Sequence, residues 1–189
     1  MNEFGALALG AVGLLNRIVV TGILITAFAL IIYIGLYNRR SRIARSFAIL
    51  LGCIIGTFLM ELFSQLSIGD VTFTWQRLQW IGIALVPAAS LDLSDTLLRA
   101  TGDISPTRRI GAKLGYVGGS LVFLLVLLTD LIAEPGVSVD RLPHLTPGPF
   151  FFPFTLLYFA CAAWATFNVI EARRRSLTST SKRRMTYFA

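Results

Sequence analysis

Arginine and lysine crowd onto every second linker between long apolar stretches, and that pattern confines the chain to helices threaded back and forth through a bilayer. Apolar runs of the roughly 20 residues needed to cross a hydrocarbon core occupy residues 18–37, 47–66, 75–98, 111–132 and 150–170. Three basic segments share one side: Asn38 to Arg45, Arg99 through Arg108, Arg109 and Lys113, and Arg173 through Arg184. The other two connections, residues 67–74 and 133–149, hold only Arg141, although Arg17 and Arg77 lie just inside adjoining spans. Short loops rich in Lys and Arg stay cytoplasmic, so the expected protein is an all-α, polytopic helical membrane protein of about five spans. Its amino terminus is expected outside and its carboxyl terminus in the cytoplasm, facing anionic headgroups.

Composition closes off other classes. With 55% hydrophobic and 14% charged residues, the chain has too little polar surface for a soluble globule. Its pI near 10 comes from residues at span ends, which argues for lipid headgroups and against nucleic acid. The start Met1-Asn2-Glu3-Phe4 lacks the basic leader of a cleaved signal peptide. There is no phosphate-binding glycine loop, serine elbow or zinc helix, so neither an enzyme nor a cofactor is expected. His144 has no second ligand nearby, and Cys53 and Cys161 lie apart in apolar spans, so no metal site is expected.

Charged and polar residues inside the spans are expensive and become the candidate site residues. The short connection between the second and third spans is expected to bring Glu61 and Arg77 together. They read either as an ion pair fixing a hairpin or as the polar floor of an outward-facing ligand pocket with Gln65, Trp75, Gln76 and Trp80. Asp92 and Asp95 share a helix face, and Arg99 completes an i, i+4 pair with Asp95. They read as a salt bridge at a helix end or, below the bend expected at Pro87, as part of a moving element. Glycines spaced by four, Gly52 with Gly56 and Gly111 with Gly115 and Gly119, predict close helix contact, within the chain or in a homodimer. Residues 1–17 form an apolar extension expected on the outer face, separate from the membrane domain at 18–172 and the basic segment at 173–189. Pro135, Pro143, Pro147, Pro149 and Pro153 predict a stiff, extended outer connection.

Several of these residues stand in a familiar order. Met60-Glu61 closes the second span, Trp75-Gln76-Arg77-Leu78-Gln79-Trp80-Ile81-Gly82 opens the third around Pro87, and Ala100-Thr101-Gly102 ends it. Thr129-Asp130 follows the fourth, Pro147-Gly148-Pro149-Phe150 opens the fifth, and Arg183-Arg184 comes last. From about Arg39 to Ala189 the chain resembles the N-terminal seven-transmembrane region of histidine kinases, a sensor module found ahead of kinase and diguanylate cyclase domains. The resemblance implies a membrane sensory input module with an unknown signal ligand and a cytoplasmic output domain. It also implies two further spans, so the chain is expected to be a fragment, with a sixth span starting near Thr186. Apolar or aromatic residues would be expected where Asp92 and Asp95 stand. A small transporter or channel subunit, or a structural membrane subunit, are the other readings of the residues themselves.

The orientation has a direct test. In a chain freed of its own cysteines, a cysteine at Ser138 should react with an impermeant reagent added outside the cell, and one at Ser179 should not; the opposite pattern would reverse the topology.

Overall fold

A computed structural model describes residues 3–67, 70–137 and 143–175. Five helices and one hairpin follow in order: α1 (Glu3–Tyr37), α2 (Arg42–Leu66), α3 (Asp70–Ala100), α4 (Pro106–Leu128), β1 (Ala133–Val137), β2 (Pro143–Pro147) and α5 (Phe151–Arg175). All five helices contain stretches long and apolar enough to cross a membrane. Short connections make successive helices run in opposite directions. One end of the bundle therefore carries the arginine-rich turns and the other the hairpin.

Local chemistry sets the helix ends. Ser41 caps α2 by accepting a hydrogen bond from the Ala44 N–H, 3.4 Å. Pro106 occupies the first turn of α4, where a missing N–H costs nothing. At the end of α3, Gly102 takes φ +89°. Its N–H bonds the Arg99 carbonyl and the Asp103 N–H bonds that of Leu98, the double closure that a left-handed glycine permits. This turn reverses the chain within a few residues and throws Asp103 back beside the helix ends.

The core is built around α3. In its most apolar window 61% of the residues are buried, against 17–22% in the other four helices. This helix packs against α2, α4, α5 and β2, whereas α1 packs chiefly against α2. The arrangement follows from cost: α3 carries Arg77, Asp92, Asp95 and Arg99, and a helix so polar is stable in a bilayer only when other helices cover it. Leu24, Ala27, Leu51 and Ile55 join α1 to α2. Leu93, Leu97 and Leu98 meet Val169 and Ala172 of α5. Two hydroxyl contacts reinforce the apolar packing: Ser46 to Thr96, 3.2 Å, and Asn168 Nδ2 donating to Ser94 Oγ, 3.2 Å, the latter fully enclosed.

Small residues decide where backbones approach. An added Cβ on Gly119 would lie 2.5 Å from the Ala84 carbonyl oxygen, and one on Gly115 3.2 Å from Ala88 Cβ, so α4 is seated on α3 through both glycines. The α2–α3 approach is made from the other side of the expected pair. A Cβ on Gly82 of α3 would collide with Thr57 Oγ1 and the Cys53 carbonyl, while Gly52 faces open space and Gly56 and Gly111 make only ordinary contacts with Ile81 and Trp164.

Three expectations need correction. The fourth span stops at Leu128 instead of 132, because Thr129 turns extended and Ile132 and Ala133 leave the helix to pack on Trp80 and Val126. The proline-rich connection is not simply extended: it forms an antiparallel ladder from Ala133↔Pro147 to Val137↔Pro143, and Pro153 lies in the first turn of α5. The amino-terminal extension is continuous helix with the first span, giving α1 35 residues and a length of about 52 Å. Arg141 and the basic run Lys182 to Arg184 lie outside the described residues.

The glycine contacts predict that Gly82→Val will destabilise the fold in detergent by about 3 kcal/mol or more, since neither backbone can yield. Gly52→Ala should be neutral. Reversible thermal or denaturant unfolding of both variants checks the contrast, and equal effects would contradict the packing.

Candidate functional site

At the hairpin end, the residues proposed to share a pocket do not converge: Glu61 and Gln65 stand on α2, and Trp75, Gln76, Arg77 and Trp80 on α3. Arg77 points to α4, not to Glu61: its guanidinium pairs with Asp130 and donates to the Leu127 carbonyl at 3.3 Å. Thr129 Oγ1 and N–H both bond the Leu125 carbonyl, so the helix end that Arg77 grips is itself well closed. Glu61 instead accepts from Gln65 Nε2, 3.4 Å, on its own helix. Trp75 stacks obliquely on Phe63 of α2 with ring centroids 5.0 Å apart. Trp80 is buried against Phe151 and Phe154 of α5. Gly148 seats the hairpin below them, where a Cβ would meet the Asp130 and Leu131 carbonyls within 2.7 Å. Glu61 and Arg77 thus take different partners, while Trp75 packs toward α2 and Trp80 toward α5.

The arginine-rich end holds a chain of alternating charges. Asp95, 4% exposed, receives Arg99 Nη2 at 2.7 Å, the pair expected from the i, i+4 spacing, and Arg108 Nε at 3.4 Å. Arg108 continues to Asp103, 2.9 Å to the carboxylate and 3.0 Å to the carbonyl. The other Asp103 oxygen takes Arg175 Nη1 at 2.9 Å, and Arg175 Nε reaches Glu171 at 2.7 Å. Three arginines and three carboxylates therefore tie α3, the α3–α4 turn, α4 and the end of α5 into one neutral clasp. Every charge has an opposite neighbour; Asp95 is the enclosed member, and the chain of pairs becomes more exposed toward Arg175. The hydrogen bond from Arg108, helped by the charges of Arg108 and Arg175, holds the Asp103 carboxyl below the usual carboxylate range. Asp92 lies outside the clasp: among the described residues no ion pair reaches its carboxylate.

Between these two ends, a cleft of about 380 Å³ opens where α2 and α5 diverge over α3. Val86, Pro87 and Ser90 form its floor, Phe47 and Leu50 one wall, Tyr158 and Ala162 the other. Helix α3 runs unbroken through Pro87. The proline removes the hydrogen bond to the preceding turn, and Ser90 Oγ donates to the Pro87 carbonyl at 2.8 Å. The cleft lining is mostly apolar with a few hydroxyls, a composition suited to a molecule dissolved in lipid. Leu93 and Val169 belong to both the cleft and the apolar cluster leading down to the clasp.

Spacing along α3 located Asp95 and Arg99, but the sequence assigned no partner to Arg108, Arg175 or Asp130 and did not single out Asp103 or Glu171, because these contacts join separate elements. Asn168, the one amide in the fifth apolar stretch, was not singled out from the sequence; it stands against Ser94. Among the described residues no group of His, Cys, Asp or Glu could hold a metal ion.

The clasp predicts that Asp95→Asn lowers unfolding stability at neutral pH by about 2 kcal/mol, since two partly enclosed arginines lose their shared partner. A loss of a few tenths, as for a surface pair, would contradict it. Because the folded Asp103 carboxyl titrates below its unfolded value, its contribution is complete above about pH 4. It should fade only as acid protonates it below that, and Asp103→Asn should remove that part of the acid limb.

No curated protein and no solved structure matches the chain. A family model described as the N-terminal 7TM region of histidine kinase matches residues 18–189, starting with the first span and taking in the junction, the cleft and the clasp. Five membrane-crossing helices and this match agree on a multi-pass protein of the cell membrane. The chain belongs to the family of N-terminal seven-transmembrane sensor regions of histidine kinases.

Proposed function

We propose that the chain is a membrane-embedded sensory input module that receives a lipid-soluble signal in the cleft over Pro87 and passes it to a cytoplasmic output domain through the clasp. The carrying observation is continuity: cleft and clasp share α3 and α5, with Leu93 and Val169 between them. A ligand shifts a conformational equilibrium only by binding one state better. A cleft bounded by α2 and α5 meets that need, because an occupant wedged between them favours the more open spacing. Opening α5 at Ala162 displaces Glu171 and Arg175 about two and a half and three and a half turns later, where Asp103 is held. The family is a sensor region and not a catalytic domain, and it works with a cytoplasmic output domain. In the orientation read from the arginines, the clasp faces that domain and the hairpin faces outward. A transport reading draws on intramembrane carboxylates, yet Asp95 is committed to two arginines and Glu61 sits near a helix end.

A long-chain alcohol bearing a diazirine serves as the probe. On irradiation in nanodiscs it should label Ser90, Tyr158 and Thr166 preferentially, and Ala162→Trp should abolish that labelling without unfolding the protein. Binding should also change the distance between nitroxides at Ile110 and Arg174. Even labelling over the exposed faces of α1 and α4, or an unchanged distance with alcohol bound, would contradict the proposal.

A further inference from the structure

A second cleft, about 710 Å³, opens at the arginine-rich end between the start of α2, the end of α3 and the start of α4. Arg42, Arg45, Arg99 and Arg109 line it, from three different helices, with Asp92 and Asp95 deeper in. Asp95 is occupied by Arg99 and Arg108. Among the described residues, Arg42, Arg45 and Arg109 have no carboxylate within ion-pair distance. Arg99 keeps a buried Nε with no hydrogen-bond partner. Among the described residues, the rim of the cleft therefore has cationic donors in excess of the carboxylates that meet them.

The start of α2 adds to this field. Ser41 satisfies the Ala44 N–H, while the first N–H groups of the helix have no intrahelical acceptor and point their dipole at the same rim. Asp92, one turn before Thr96 and so about 6 Å farther into the bundle, repels an anion from the floor and keeps it at the level of the arginines. Ile49, one turn deeper than Arg45 on α2, and Ile104 on the opposite lip are exposed apolar borders to a polar cleft. Water-soluble anions have no use for them, whereas a molecule with a phosphate and an acyl chain covers both surfaces.

We propose that this cleft binds the phosphate of an anionic phospholipid, gripped by Arg42, Arg45 and Arg109, with its acyl chain descending along Ile49. Occupancy would also brace Arg99, so lipid at this site holds the Asp95 end of the clasp. This goes beyond the general attraction of basic loops for anionic membranes, because Arg39 and Arg40, equally basic and adjacent in sequence, do not line the cleft.

The test counts phosphatidylglycerol molecules retained by the full chain, by native mass spectrometry, after release from nanodiscs of phosphatidylglycerol in phosphatidylcholine. Arg45→Gln with Arg109→Gln should weaken retention at least about tenfold, the scale of one charge-assisted hydrogen bond lost. Arg39→Gln with Arg40→Gln should leave it near wild type. Equal losses in the two double variants would overturn the site in favour of diffuse surface charge. If the first double variant does not fold, each of Arg45→Gln and Arg109→Gln must lower retention several-fold on its own, and unchanged retention in both overturns the proposal. Inorganic phosphate should fail to compete at the concentration of the lipid; displacement by it would overturn the lipid assignment and point to a soluble phosphate compound.

Discussion

Charged side chains are costly in hydrocarbon, and this protein places four of them, Arg77, Asp92, Asp95 and Arg99, beyond the first turn of one helix. That constraint organises the rest. Helix α3 can remain in the membrane only if neighbours cover it and meet most of its charges: α2, α4 and α5 pack around it while α1 stays outside on α2, and of the four only Asp92 has no ion pair among the described residues. Arg77 finds Asp130 at one end, and Asp95 finds Arg99 and Arg108 at the other. Between these poles the contacts are small and close, Gly82 against α2 and Ala84 and Ala88 against Gly119 and Gly115. The polarity that makes α3 a poor lipid-facing helix is what makes it the central one.

The same arrangement accounts for how the two clefts relate to the clasp. Covering α3 on three sides leaves gaps where the covering helices diverge. One lies in the apolar middle, over Pro87. The other lies at the arginine-rich end, where Arg42, Arg45 and Arg109 surround a space with no carboxylate to meet them at its rim. The clasp residues Asp95 and Arg99 also line that second gap, so the proposed lipid phosphate there and the proposed lipid-soluble signal above would act on the same set of charges. The neutral balance of the clasp allows it to break and re-form without leaving a net charge buried.

Much of this was legible in the sequence. Five apolar stretches separated by alternating basic linkers gave the helices, and the i, i+4 spacing of Asp95 and Arg99 gave their salt bridge. The four-residue spacing of Gly115 and Gly119 placed them on one face of a helix. What could not be read was partner choice between elements. Arg77 has Glu61 available across a short connection, yet its position on α3 turns it toward α4, and the end of that helix at Leu128 brings Asp130 within reach. Gly82 was visible in the motif that opens the third span, but its role depends on Cys53 and Thr57 of another helix. Arg108, Asp103 and Arg175 looked like ordinary basic and acidic linker residues. Only the left-handed turn at Gly102, folding Asp103 back, brings them together.

The central claim is that α3 from Ala84 to Leu98 is enclosed by protein while its neighbours face lipid. Nitroxides placed in turn at Ala84, Ala88, Leu91 and Leu98 of α3, and at Leu114, Val117 and Leu121 of α4, measure this through relaxation by oxygen dissolved in the bilayer. The account predicts immobilised, oxygen-shielded labels at the four α3 positions and mobile, oxygen-accessible ones on α4. Oxygen accessibility on α3 equal to that on α4 would contradict it.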